Sequence, residues 1–363
     1  CLTISWFREH WHGRSHYKNQ FNILRPMKIK RIVYVFSLLT AVMVFTATLP
    51  TCKGPGKKSE EEKRAQETWA EKLGYPSEKK ILILHADDAG MSAEANEAVK
   101  EMLEKDRIQS TAVMMPCPAA ESMIRWAKDH PEEDVGLHLT HTSEWETWRW
   151  GPVSDPDEVP GLVDPDGKLW DNVPQVVEHA SAEEVEKEIR AQIEKSIALG
   201  YKPDHIDTHM GTLYATPEYV KVFFKVAEEY GIPANAIDLS NPDVADKYKK
   251  QGYPITEEVI QLIEDYSLPK VDNFTSAPKG STYEEKVDNF KKLVQNLQPG
   301  LTEIIFHPSE ETDDLKDITN SWQQRVWEKK MFGDPKLQHF FENEDVVFTN
   351  WKEIMERFNE RSL

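Results

Sequence analysis

Acids and imidazoles stand where short apolar runs of this chain end. Asp87 and Asp88 follow residues 81–84, His138 lies near the end of 135–140, His209 closes 205–209, and His307 follows 301–306. One carboxylate and two imidazoles form an open site for a divalent ion that keeps positions for water and substrate. Asp88, His138 and His209 are expected to supply it. Asp87 cannot easily reach the same ion by a similar approach, but it would lie beside water on that ion, where a general base belongs. Alternate side chains of a strand share a face, so His205, Asp207 and His209 are expected to point inward together. His209 is then nearest the mouth, His205 is a deeper packing group, and Asp207 orients a neighbouring imidazole. Each residue alone has a plainer reading, since acidic pairs often make turns and single histidines are often structural. Their recurrence at equivalent strand ends is what points to a site.

Those ends must be brought together by the elements between them. The apolar runs 81–84, 111–115, 135–140, 205–209 and 301–306 read as strands, and 119–130, 181–199 and 217–230 read as helices, with a further helix starting after Ser92. Strands alternating with helices predict an α/β fold, a parallel sheet closed or nearly closed into a barrel. In such a barrel chemistry gathers at the carboxyl ends of the strands. The loop 141–172, with Trp145, Trp148, Trp150 and Trp170, is too long to be incidental. Trp145, Trp148 and Trp150 read either as a stacking face for a flat-faced ligand or as lid and loop packing.

The 363 residues are 39% apolar, and 44 Lys+Arg against 63 Asp+Glu give a net charge of −19. That excludes a polytopic membrane protein and argues against nucleic acid as a partner, which needs a basic footprint. Three cysteines, Cys1, Cys52 and Cys117, make neither a disulfide scaffold nor a thiolate zinc site. Residues 1–26 read as translation from upstream of Met27. Residues 27–52 read as a bacterial export segment, basic and then apolar from Ile32 to Leu49. Its end at Cys52 resembles a lipoprotein-processing box, with an uncleaved anchor or plain secretion as alternatives. Residues 53–79 read as a charged tether and 80–363 as the folded domain. The expected location is the cell envelope, as a periplasmic or outer-membrane lipoprotein, with membrane contact only through the N-terminal lipid or anchor.

The stretches His85-Ala86-Asp87-Asp88-Ala89-Gly90-Met91-Ser92, Gly136-Leu137-His138-Leu139-Thr140, Pro203-Asp204-His205-Ile206-Asp207-Thr208-His209 and Phe306-His307-Pro308 resemble, in order, the motifs of the YdjC-like (ChbG/HpnK) carbohydrate deacetylase family. The resemblance spans residues 80 to 350. It implies an irregular (β/α) barrel, polysaccharide-deacetylase-like, and one divalent metal ion, Mg2+ or Zn2+. It also implies removal of N-acetyl groups from an amino sugar or oligosaccharide. By the family's pattern Asp88, His138 and His209 hold the metal and Asp87 is the base. Ala89 stands where members commonly carry an aromatic residue, and Met210-Gly211-Thr212-Leu213 where they carry more histidines. Both departures leave the metal set intact and bear on the substrate pocket.

The expected activity is therefore a carbohydrate deacetylase using metal-activated water, with Asp87 as base and His307 returning a proton to the leaving nitrogen. Arg325 reads as a surface residue, with a carboxylate across the site as the lesser alternative. Competing readings are a non-catalytic glycan-binding envelope lipoprotein, a glycoside hydrolase using Asp87 without metal, and a non-haem iron oxygenase with the same ligand types.

Overall fold

The computed structural model describes residues 67–250, 252–361 and 363. The segment 1–26, the export segment with Cys52, and the tether as far as residue 66 lie outside the described residues. The sheet has seven parallel strands: β1 (Lys80–Ala89), β2 (Ser110–Val113), β3 (Val135–Leu139), β4 (Ile206–Thr208), β5 (Asn273–Ser276), β6 (Gly300–Phe306) and β7 (Val346–Phe348). Their order is β4-β3-β2-β1-β6-β5, with β7 beside β1. β6 pairs with β1 from Lys80 to Ala86; β7 takes Lys80–Leu82 and β2 takes the stretch from His85 onward. Single bridges from Ile206 to Ala234 and from Ile237 to Val271 link the edge at β4 to the approach to β5. The result is an irregular (β/α) barrel, as the strand–helix rhythm predicts, with one stretch of its wall reduced to bridges.

The helices are α1 (Trp69–Lys72), α2 (Ala93–Glu104), α3 (Ala120–Asp129), α4 (Val173–His179), α5 (Ala182–Ala198), α6 (Pro217–Tyr230), α7 (Pro242–Lys250), α8 (Glu257–Asp265), α9 (Tyr283–Asn296), α10 (Asp313–Ile318), α11 (Trp322–Phe332), α12 (Pro335–Asn343) and α13 (Trp351–Arg361). Their starts follow local chemistry. The Ser92 hydroxyl accepts from the Ala95 N–H at the head of α2, and Ser181 and Glu184 form a reciprocal capping box on α5. Thr216 caps α6, Pro217 opens it, and Gly231 closes it in the left-handed region at φ 59°.

β1 is buried on both faces, as a central parallel strand must be. Its alternating residues feed two cores. Leu82, Leu84 and Ala86 face the larger core, which reaches Val99, Met102, Val113 and Phe306. Ile81 and Ile83 face a smaller one with Trp69, Leu73, Val271, Leu301 and Trp351. This second core takes in residues assigned from sequence to the tether. Asp272 accepts from the backbone N–H of Trp69 at 2.6 Å, Ala70 at 3.1 Å and Leu301 at 2.7 Å, tying α1 to the base of the barrel. The folded part thus includes Thr68 to Lys79, ahead of the boundary placed at residue 80, because Trp69, Leu73 and Tyr75 are buried there.

Two local expectations change. The run 205–209 is a strand only at Ile206–Thr208; His209 opens a short 3-10 segment in which Met210 (φ 56°) and Gly211 (φ 68°) are left-handed. The loop 141–172 holds two 3-10 turns, Pro156–Glu158 and Pro160–Leu162, and a bridge between Val163 and Leu169. Among the described residues no helix is long and apolar enough to cross a membrane.

Candidate active site

Neighbouring residues of a regular strand point to opposite faces, so Asp87 and Asp88 could not both reach one pocket from an undistorted β1. The register against β2 shifts between Ala86 and Ala89, and Asp88 sits at φ 62°. A bulge with a left-handed residue re-aims a side chain, and aspartate is among the few residues that tolerate that conformation. Gly90 then donates its N–H to Asn96 Oδ1 at 2.7 Å, fixing the exit of the strand against α2.

The bulge carries Asp88 to the ends of β3 and β4. Asp88 Oδ1 lies 3.6 Å from His138 Nε2 and 3.4 Å from His209 Nδ1, and one ligand atom from each residue falls within 4.8 Å of the others. The nitrogen of each imidazole that faces away from Asp88 has an acid behind it. His138 Nδ1 is 2.6 Å from Asp207 Oδ1, and His209 Nε2 is 3.1 Å from both oxygens of Glu144. A carboxylate behind an imidazole orients the ring and raises its basicity as a metal ligand. Asp88 Oδ1 is buried with no hydrogen-bond partner, while Asp88 Oδ2 accepts from Arg325 Nη2 at 2.7 Å. An unpartnered buried carboxylate oxygen facing two acid-backed imidazoles fits a divalent cation.

The electrostatics agree. Burial pushes the Asp88 carboxyl up, but Arg325 first, then His307 and His209, hold it well below the usual carboxylate range. Burial pushes His209 down, yet Glu144 and Asp88 raise it to about 10. His138 is raised against its burial chiefly by Asp207. Protons held between acids in this way occupy the place that a cation would take, and ligation must release them.

Behind the mouth lies a sealed polar floor. His85 Nε2 stands between Asp87 Oδ1 at 3.3 Å and Asp207 Oδ2 at 3.2 Å; its Nδ1 faces Glu303 Oε1 at 3.1 Å and Ser110 Oγ at 3.0 Å. His205 Nδ1 is 3.0 Å from Asp134 Oδ1, and its ring packs so tightly on Gly136 that a Cβ there would meet Nε2 at 2.3 Å. His85, His205 and Asp207 also bring ligand atoms within 4.8 Å of one another, as do Asp87, His138 and Asp207. In the first set both imidazoles are fully buried and already face acids, and in the second His138 Nδ1 is already committed to Asp207.

On the other side of Asp87, His307 Nε2 lies 3.8 Å from Asp87 Oδ2, with the His307 side chain 36% exposed. Its backbone N–H donates to Glu328 Oε2 at 2.8 Å, and Glu328 Oε1 accepts from the buried Lys286 ammonium at 2.9 Å. Asp87, Asp88, His138, His209 and His307 are therefore brought to one mouth. Arg325, expected at the surface, is instead buried against Asp88, with its guanidinium 5.7 Å over the Trp145 ring. The tryptophans divide. Trp145 faces His209 at 6.4 Å, Trp148 donates to the Met91 carbonyl at 3.0 Å, Trp150 is buried on the Thr142 carbonyl, and Trp170 stacks on His179.

Glu144, Glu303 and Glu328 were not anticipated. Glu144 sits within the loop singled out for its length, which was its only signal. Glu303 is a lone acid inside the apolar run 301–306, a pattern that by itself marks a buried partner. Glu328 carries no sequence signal.

A model of the YdjC-like proteins matches residues 81–343. The chain belongs to that family. Proteins named carbohydrate deacetylase from Thermoanaerobacter pseudethanolicus and Thermus thermophilus are similar to this YdjC-like chain. The first is 26% identical over 274 residues, 75% of this chain and 98% of the relative; the second is 29% identical over 270 residues, 74% and 91%. A third relative of that name, from Geobacillus stearothermophilus, is 28% identical over 273 residues, 75% of this chain and 97% of its own. A solved Enterococcus faecalis structure, described as a candidate cellobiose-phosphate cleavage protein, shares the fold with a TM-score of 0.63. It is 22% identical and covers 76% of this chain and 99% of its own.

Proposed function

We propose that this YdjC-like protein is a metal-dependent carbohydrate deacetylase that hydrolyses the N-acetyl group of an amino sugar or oligosaccharide. The observation that carries the reading is the unpartnered Asp88 Oδ1 facing His138 Nε2 and His209 Nδ1, with Asp87 beside them in the same mouth. Relatives named carbohydrate deacetylase over nearly their whole length support the substrate class.

Asp88, His138 and His209 would hold the divalent ion, Mg2+ or Zn2+. Such an ion, when bound, polarises an amide carbonyl and makes neighbouring water a better nucleophile. Arg325 fixes one oxygen of Asp88 so that the other faces the imidazoles. Asp87 takes the proton of the attacking water as its hydroxyl adds to the acetyl carbon. His307, across Asp87 and partly open to solvent, gives a proton to the sugar nitrogen as the C–N bond breaks and acetate leaves. The Glu328 carboxylate and the Lys286 ammonium behind it hold the His307 backbone at the rim. Trp145, beside His209 and under Arg325, gives the mouth an aromatic wall suited to a sugar face. The apolar segment ending at Cys52 supports placement in the cell envelope.

The test is acetate release from a panel of acetylated mono- and oligosaccharides, before and after chelation and with Mg2+ or Zn2+ restored. Cation-dependent release is expected. Glycosidic cleavage that survives chelation, or saccharide binding without release from any substrate, overturns the reading.

A further inference from the structure

We propose that His85 is a positioning residue of the hydrolytic site: its Nε2–H holds the Asp87 carboxylate and couples it to Asp207, the acid that orients His138. The inference rests on the reading of Asp87 as the base. It is drawn from contacts that the steps above do not use.

The Asp87 carboxylate has no fully aligned hydrogen bond at its buried Oδ1; the side chains within ion-pair reach of it are His85 at 3.3 Å and the partly exposed His307 at 3.8 Å. An unsupported carboxylate in such a place would be free to turn away from the mouth. Among the described residues, His85 is the only side chain within ion-pair distance of both Asp87 and Asp207. Its Nε2 sits between their oxygens at 3.3 and 3.2 Å and is squarely aligned on neither. One N–H is thus shared between the base and the carboxylate that holds His138 at 2.6 Å. When Asp87 takes a proton and becomes a weaker acceptor, the same N–H can settle on Asp207, and it can return when that proton leaves.

The ring is itself held from every side. Glu303 on β6 and Ser110 on β2 face Nδ1, and the His205 ring lies edge-on at 5.0 Å. Ser110 passes the contact on to Asp134 at 2.7 Å, and Glu303 is braced by Asn235 Nδ2 at 2.6 Å. Burial pushes the His85 imidazole down, but Glu303, Asp207 and Asp87 outweigh it and hold the ring well into its protonated range. Four strands thus fix one donor beneath the base. Pre-aiming of this kind matters because small displacements of a reacting group cost rate far out of proportion to the energy of the lost contact.

The experiment is a double-substitution cycle on the full chain, with folding followed by circular dichroism. His85→Leu leaves three acids facing an apolar side chain. His85→Gln keeps a donor of shorter reach and carries the test if the leucine variant does not fold. For either variant we expect kcat for acetate release to fall about tenfold or more, with KM and cation affinity held within about threefold; in an Asp87→Asn background the same substitution changes kcat less than about twofold. Equal losses in both backgrounds, or a loss confined to KM or to cation content, overturn the proposal. So does a second cation per chain that disappears with His85→Gln, since an ion would then stand where the proton is placed. If the wild-type chain releases no acetate, the functional reading falls separately, and His85 is read by imidazole 15N resonances. A protonated Nε2 whose shift moves on Asp87→Asn supports the coupling; an unprotonated Nε2 overturns it.

Discussion

The mouth and the floor of this barrel are built from the same materials and differ in where the acids stand. At the mouth, Asp207 and Glu144 stand behind His138 and His209, so the inner nitrogens and Asp88 Oδ1 face one another across a gap. On the floor the acids stand on both sides of His85, with Glu303 at one nitrogen and Asp87 and Asp207 at the other. Acids behind imidazoles leave a place for a cation in front; acids in front of an imidazole hold a proton there. Both arrangements are buried: His85 is 0% exposed, and His138 and His209 are 4% and 3% exposed. Asp87 and Asp207 belong to both, and the bulge in β1 is the device that brings Asp88 to the mouth beside Asp87.

The sharpest way to break this contrast is to empty the mouth. Asp88→Ala, His138→Ala or His209→Ala should strip the bound cation, read by elemental analysis, and lower acetate release by about 10³-fold or more, since an ion stabilises the developing charge by several kcal/mol. A chain that keeps its ion after His138→Ala but loses it after His205→Ala would exchange the roles of mouth and floor. Next in size is Asp87→Asn, which should keep the cation and lose about 10²–10⁴ in kcat, the range expected of a general base. Loss of the ion in this variant, with retention in Asp88→Asn, would reverse the division of labour within the pair.

How far the sequence showed this site depends on how local each cause is. Strand-end chemistry is local: an apolar run closed by Asp87-Asp88, or by His307, announces both the strand and its polar end. α6 was legible because Thr216, Pro217 and Gly231 mark its limits within the chain itself. The partners were less visible, because they are defined by contacts across the barrel. Arg325 reaches Asp88 from 237 residues away, and nothing beside it in sequence marks it as buried. The alternation of 205, 207 and 209 predicts His209 at the end of a strand; it lies beside Asp88 and His138, but it leaves the strand through left-handed Met210 and Gly211 rather than continuing it. Trp69 was hidden by its charged neighbours, and only the shape of the second core shows that it belongs to the fold.

Glu144 sharpens the contrast with a smaller effect. It comes from the Trp-rich loop, not from the barrel, and its two oxygens lie equally far from His209 Nε2. If its place is to orient a ligand, Glu144→Gln should weaken cation affinity by about 10–100-fold. Most of kcat should return when the cation is raised to saturation. Isothermal titration at fixed pH gives the affinity, and a rate that stays low at saturation would move Glu144 from holding the ligand to handling the substrate.

His141 tests the rule from outside both regions, because it is a buried imidazole with no acid on either side. It is closed to solvent, the Val185 and Leu139 backbones approach its ring without a well-aligned hydrogen bond, and burial outweighs them and pushes it down to about 4. The folded chain therefore refuses a proton that the unfolded chain, with an ordinary histidine near 6.5, accepts. Its contribution is fully present above pH about 6.5 and is lost as pH falls toward 4, amounting to about 2 kcal/mol by pH 5. Replacing it by an apolar residue of similar bulk, His141→Leu, removes the proton site. Urea unfolding at pH 7 and pH 5 should show the wild type losing more stability between the two than the variant does, by about that amount. An equal loss in both chains would mean that His141 finds a partner in the acid form, and that acid-free burial is not what keeps it neutral.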